Sequence, residues 1–220
     1  MRTVVHSATK KVAIAPDLPT VIIGERINPT GKKLLAASLA EGDMSRVRSL
    51  AKTQIENGAH ILDVNVGAAG VDEVDLLPKA VKAVQEVTDV PLCLDSPNAT
   101  ALKAALDVYD GKALINSVNG EEASLNRVLP LVKEYGAAVI GLTMDDAGIP
   151  KTAAERVAVA KKIVERAESL GIPREDILID CLVLTVSADQ TAAKTTLDAI
   201  AGVRAELGMN MSLGASNVSF

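Results

Sequence analysis

The chain has 220 residues, 48% of them hydrophobic, enough to bury a full core in one domain. Its 23 Lys and Arg against 28 Asp and Glu leave a formal charge of −5, and two Tyr, one Phe and no Trp offer bases little to stack on; both argue against nucleic acid or an anionic membrane as partner. No run approaches the ~20 apolar residues of a membrane span, MRTVVHSATKK lacks the apolar stretch of a leader peptide, and Cys93 and Cys181 sit in apolar runs as free buried thiols do, so a cytoplasmic protein is expected.

Residues 1–19 read as an N-terminal extension. Thr3–Val5 and Val12–Ala15 are candidate arms of a short hairpin around Ser7–Lys11, with Pro16–Pro19 as punctuation. Residues 20–220 then alternate short apolar runs with amphipathic segments. VIIGE closes at Glu25, and Asp43 is expected to cap a helix whose stripe is Val47, Leu50, Ala51 and Ile55, stopped by Gly58. HILDVNV carries Asp63 and Asn65 and precedes a stripe of Val74, Leu77, Val81 and Val84. VPLCLD ends at Asp95, before Ala101, Leu102, Ala105 and Leu106. ALIN ends at Asn116; Asn119 with Glu122 reads as a capping box ahead of Leu125, Val128, Leu129 and Val132, closed by Gly136. AAVIGLT ends at Thr143, and a second box, Thr152 with Glu155, opens the stripe Val157, Ala160, Ile163, Val164 and Ala167, closed by Gly171. DILID ends at Asp180, Thr191–Leu207 supplies the last helix, and MSLGASN ends at Asn217.

The runs are nearly continuous in Val, Ile and Leu, as parallel strands buried on both faces should be. Seven βα repeats without low-complexity linkers predict an α/β chain of the (β/α)8 TIM-barrel class, with the eighth βα unit missing from these 220 residues. An open doubly wound sheet is the alternative, and neither GxGxxG nor GxxxxGK[ST] follows any strand to support it.

Six of the seven runs stop on an acid or an amide: Glu25, Asp63 with Asn65, Asp95, Asn116, Asp180 and Asn217. Burying such a group without a partner costs on the order of 2–7 kcal/mol when uncharged and more when charged. In a parallel barrel these positions share the C-terminal face, so they predict one polar pocket for a hydrogen-bonding ligand. Nucleophilic catalysis does not fit. Ser96, Ser117, Ser187 and Ser216 have no strand-end histidine, since His60 begins its strand at the opposite end. With two His and no CxxC or HExxH, no metal site is expected. Cations near the pocket reduce to Arg26 and Lys32/Lys33, too few to cradle phosphates. Acids and amides suit a neutral planar heterocycle rich in N–H donors: a carboxylate accepts two parallel bonds, and a carboxamide both donates and accepts. The plainer reading of Asp95, Asn116, Asp180 and Asn217 is strand-end capping of loop N–H groups. Asp63 suits bracing Arg26 or a loop as well as touching a ligand, and Glu25 with Arg26 suits a structural ion pair.

VIIGERINPTGKK, LDVNVG, LCLDSPN, LINSVNGE, IGLTMDDAGIPKT, ILID and LGASNVSF, in that order, resemble the pterin-binding methyltransferase family from about Val21 to Phe220. That family includes methyltetrahydrofolate:corrinoid protein methyltransferases and the folate domain of cobalamin-dependent methionine synthase; dihydropteroate synthase is a more distant relative. The resemblance implies a (β/α)8 barrel, a homodimer, and transfer of a methyl group between N5 of tetrahydrofolate and cobalt of a corrinoid on a partner protein, with no metal of the chain's own. Motif by motif it implies pterin contacts from Asp95, Asn116 and Asp180, with Gly214 and Ser216 in the same contacting turn; Asn65, from its strand-end place beside Asp63, is expected to line the same pocket. Asn217 falls on the amide that meets N5, the catalytic position, while Glu25 and Asp63 are possible support. One departure is Cys181, where family members often carry Pro after the strand-end Asp. The alternatives are a dihydropteroate synthase-like enzyme, disfavoured by the Lys/Arg-poor MSLGASNVSF, and an inactive pterin-binding scaffold.

Overall fold

A computed structural model describes residues 1–183 and 192–215. The chain divides into two units, Val4–Asn116 and Ser117–Phe220 with Met1–Thr3.

In the first unit, β1 (Thr3–Ser7) and β2 (Lys11–Ile14) form the expected hairpin, its turn closed by Ser7 N–H on Lys10 O at 2.9 Å. β3 (Ile23–Ile27) runs past Glu25. A helix that the sequence pattern does not single out follows, α1 (Lys33–Ala40). In α2 (Ser45–Glu56) the N-cap position belongs to Met44, not Asp43. Asp43 instead fixes the entry to the helix by accepting from Ser45 N (2.8 Å) and Ser45 Oγ (2.7 Å), because its carboxylate reaches the first-turn donors from one residue further out.

β4 (Ile61–Val64) is buried throughout. α3 (Glu73–Gln85) is capped by Asp72 and buries Leu77, Val81 and Val84. After β5 (Leu92–Asp95), Asn98 caps α4 (Ala99–Val108), which buries all four residues of its predicted stripe. β6 (Gly111–Lys112) then adds a third, unanticipated strand to the hairpin, antiparallel to β1 through His6↔Lys112 and Ser7↔Gly111. Only glycine permits that approach, for Gly111 has φ +142° and a Cβ there would lie 2.1 Å from His6 O. Tyr109 seals the corner, its hydroxyl donating to His6 O (3.0 Å) and accepting from Leu92 N (3.1 Å); burial pushes its pKa up to about 12. β7 (Leu114–Asn119) outlasts the predicted ALIN run by three residues. β3, β4, β5 and β7 are parallel neighbours in that order.

The second unit begins within β7. α5 (Glu122–Tyr135) ends at Gly136 in the left-handed conformation (φ +58°) as predicted, but its N-terminal capping box does not form. Asn119 is still strand, so its Oδ1 accepts from Glu121 N (3.0 Å) while Glu121 takes the N-cap position. β8 (Ala138–Leu142) stops just before Thr143. α6 (Ala153–Ser169) does carry its box: Glu155 N donates to Thr152 Oγ1 (3.3 Å), and Thr152 N to Glu155 Oε2 (3.1 Å). Freed from capping, Glu122 pairs with Lys162 (3.0 Å) and Arg166 (2.6 Å). A single 3-10 turn, Arg174–Asp176, leads into β9 (Ile177–Asp180), then α7 (Ala192–Leu207) and β10 (Asn210–Ser212). β8, β9 and β10 are parallel, with Leu142 and Ser212 both in register with Asp180. All seven predicted strands are thus present, alternating with helices. No helix among the described residues is long and apolar enough to cross a membrane.

Candidate functional site

Parallel register decides which polar side chains meet in the first unit. Asp63 is opposite Cys93, Cys93 opposite Leu114, and Asp95 opposite Asn116. Side chains two apart share a face, so Asp63, Asn65, Asp95 and Asn116 fall together. They are cross-bonded: Asn65 Nδ2 donates to Asp95 Oδ2 (2.9 Å) and Asn116 Nδ2 to Asp63 Oδ2 (3.1 Å). Asn65 Oδ1 is itself occupied by Gly67 N (2.8 Å), which fixes its amide. Asp63 is 5% exposed, whereas Asn65, Asp95 and Asn116 are half-buried. Asp63 therefore forms the floor and the others the rim. Burial, then the neighbouring Asp95 charge, pushes the Asp63 carboxyl up to about 7, against the hydrogen bonds from Asn116 and Cys93. Burial also raises Asp95, opposed by its bond from Asn65. The Cys93 thiol, wholly buried beside Asp63, is pushed well up and is no nucleophile.

Two expectations are corrected. Asp63 braces Asn116 rather than Arg26, because the strand register brings the amide to it. Glu25 and Arg26 form no ion pair with each other. Arg26 N donates to Gln54 Oε1 (2.7 Å), and both Glu25 and Arg26 are exposed. Gln54 can sit there because Gly24 has no Cβ; one would lie 2.6 Å from Gln54 Oε1. Ser96, far from being a latent nucleophile, donates to Glu73 and accepts from Asn98 N (3.0 Å).

In the second unit Asp180 is 8% exposed and accepts from Leu182 N (2.7 Å) and from the backbone of Gly214. The capping role weighed for Asp180 is thus realised, and Gly214, two residues past β10, is bonded to it. Burial raises the Asp180 carboxyl against those two donors. Ser216 and Asn217 lie outside the described residues.

Arg156 escaped the sequence reading. It is 2% exposed and has no carboxylate partner among the described residues; its guanidinium donates to Pro150 O (2.9 Å), Cys181 O and Leu182 O (2.8 Å each) and Thr196 Oγ1 (3.1 Å). It holds the segment that leaves β9 just past Asp180, where Leu182 adopts φ +55°. The missed signal was its helical spacing. Arg156 lies on the same stripe as Ala160, Ile163 and Ala167, all buried. Cys93 and Cys181 are both free and buried, and among the described residues no group of three His, Cys, Asp or Glu is placed to hold a metal ion.

The arrangement presents acceptors on half-buried side chains. Among the described residues neither Asp95 Oδ1 nor Asn116 Oδ1 has a hydrogen-bond donor, so both are available to N–H groups of a ligand.

Residues 24–220 match the family described as pterin binding enzyme. The chain is 32% identical, over 98% of its length, to a methionine synthase of Mycobacterium leprae (strain TN), and covers 19% of that protein. To the methionine synthase of Mycobacterium tuberculosis (strain ATCC 25618 / H37Rv) it is 31% identical, with the same coverage. It spans only about a fifth of those relatives. A methylcorrinoid:tetrahydrofolate methyltransferase of Eubacterium limosum is 33% identical over 91% of this chain and 74% of its own length. Xanthomonas albilineans dihydropteroate synthase with 4-aminobenzoic acid superposes at a TM-score of 0.68 with 20% identity, covering 97% of this chain and 77% of that one. Its complex with indole-2-carboxylic acid and 6-chloroguanine gives 0.65 at 19% identity, over 100% and 79%. Those two likenesses establish the shared fold, parallel strands alternating with helices. The family match and the E. limosum relative establish more: this chain belongs to the pterin binding enzyme family.

Proposed function

We propose that the protein is a methyltransferase that moves a methyl group between N5 of tetrahydrofolate and the cobalt of a corrinoid carried by a separate protein. The observation that carries this reading is the cross-bonded cluster Asp63, Asn65, Asp95 and Asn116, with acceptors on Asp95 and Asn116 that take no donor among the described residues. A pterin edge is rich in N–H donors and carries no phosphate, which is the ligand such a cation-poor rim recognises. The identity to the E. limosum methyltransferase over most of both chains supports the reaction class.

In this reading Asp95 and Asn116 accept from pterin N–H groups, Asn65 keeps Asp95 oriented, and Asp180, Gly214 and Ser216 supply further pterin contacts. When the methyl departs, the C–N bond breaks with its electron pair remaining on N5. A tertiary amine is a poor leaving group, so N5 must gain a proton or a strong hydrogen bond. Asn217 serves there: its carboxamide accepts from N5–H⁺, an interaction stronger in the transition state than in the ground state. The corrinoid supplies the metal-centred nucleophile, and this chain needs no Ser, Cys or His machinery of its own. The same contacts serve both directions of transfer. A homodimer in the cytoplasm and docking of a corrinoid protein belong to this reading as well.

Calorimetric titration with 5-methyltetrahydrofolate, followed by a spectroscopic assay of methyl transfer to reduced free cobalamin, tests it. Binding with transfer is expected, and Asn217→Ala should lower the transfer rate far more than the folate affinity. Binding without transfer would favour a scaffold that has lost activity, and condensation of a hydroxymethyl-dihydropterin diphosphate with 4-aminobenzoate, its amine displacing diphosphate, would favour a dihydropteroate synthase-like reaction. No folate binding at all would overturn the reading.

A further inference from the structure

Asp63 lies beneath the rim, 5% exposed, and a ligand held by Asp95 and Asn116 does not need to touch it. A carboxylate has acceptors only, so an ionised Asp63 forces Asn116 to turn its NH2 inward, as the 3.1 Å Nδ2–Oδ2 bond shows. That leaves Asn116 Oδ1 outward as an acceptor. A protonated Asp63 has an O–H to donate; it would then bind Asn116 Oδ1 equally well, and the amide could reverse and face the ligand with its N–H groups. Asn65 lacks this freedom, because Gly67 N already holds its Oδ1.

We propose that Asp63 is a positioning residue whose charge locks the Asn116 carboxamide with its oxygen toward the ligand, so that the site selects N–H donors only while Asp63 is ionised. This deepens the folate reading and rests on it for the identity of the ligand, but not for the lock itself. The groups that set the ionisation of Asp63 face it from three strands: Asp95 and the Cys93 thiol from β5, Glu25 from β3 and the Asn116 amide from β7, with Glu73 acting on Asp95. Burial and the neighbouring carboxylates hold its titration near neutrality, where the lock opens and closes.

Two measurements on the full chain test this. The side-chain 15N–H resonances of Asn116, assigned by their loss in Asn116→Asp, should titrate between pH 5.5 and 8.5 without ligand, and should stop doing so in Asp63→Asn. In parallel, the dissociation constant for tetrahydrofolate should rise by about five- to tenfold as pH falls across that range, the worth of one oriented hydrogen bond, and Asp63→Asn should flatten the profile. A merely structural Asp63 would shift affinity equally at every pH, which would overturn the proposal, as would Asn116 resonances indifferent to pH in the wild-type chain. Titrating resonances in a protein that binds no folate would support the lock and refute the folate reading instead.

Discussion

In the Val4–Asn116 unit two aspartates are held by side-chain carboxamides, Asn116 on Asp63 and Asn65 on Asp95, whereas in the other unit Asp180 is held by main-chain N–H groups of Leu182 and Gly214. The nearby buried cation of that second unit, Arg156, is likewise satisfied mainly by main-chain carbonyls. A carboxamide can turn over and exchange donor for acceptor, but a peptide group fixed in a strand end cannot. The first arrangement is therefore adjustable by protonation. The second is a rigid acceptor whose geometry depends on the backbone staying in place.

That contrast breaks most readily at Arg156. Arg156→Met strips donors from the carbonyls of Pro150, Cys181 and Leu182, and should cost about 3–5 kcal/mol of stability in denaturant titration. A loss under ~1 kcal/mol would mean that water replaces the guanidinium and that the backbone frame is not rigid. Asp180→Asn comes next. It keeps the shape but removes a charged acceptor, and should weaken tetrahydrofolate binding by ~1.5–3 kcal/mol; an unchanged dissociation constant would assign Asp180 wholly to capping Leu182 and Gly214.

Asp63→Asn sharpens the other side of the comparison. The folded chain keeps Asp63 protonated up to about pH 7, against 3.8 for the ordinary carboxyl, so it binds more protons than the unfolded chain in that window. Stability contributed by this group thus falls as pH rises from about 4 to about 7. The variant should gain about 2 kcal/mol at pH 8 and little at pH 4, and an equal change at both pH values would show that Asp63 does not titrate differently on folding. The smallest effect belongs to a site away from both clusters: Thr152→Ala should cost about 1 kcal/mol by removing the α6 capping box.

Legibility followed the range of the interactions. The α4 stripe, the Thr152–Glu155 box and the Gly136 terminator are decided within a few residues, and the pattern predicted each of them. The Asn119–Glu122 box has the same spacing as the one that forms, yet β7 runs on to Asn119, whose Oδ1 takes Glu121 N and whose N–H goes to Ser124 Oγ, leaving the N-cap to Glu121. β6 went unseen, since two residues carry no period and only β1 gives them a partner. Arg156 was hidden because an arginine on a helix normally marks the solvent face.

The order of apolar runs, their period and the polar residue closing each of them were written in the chain, because burial on both faces of a parallel strand demands continuous Val, Ile and Leu. Chemistry at the strand ends was readable in kind: acceptors in number, few cations, no nucleophile. Tertiary structure alone decided the pairings, since register sets which carboxylate meets which amide. It thereby chose Asp63 as the buried support of Asn116, left Asp95 open at the rim, and gave Asp180 to the backbone.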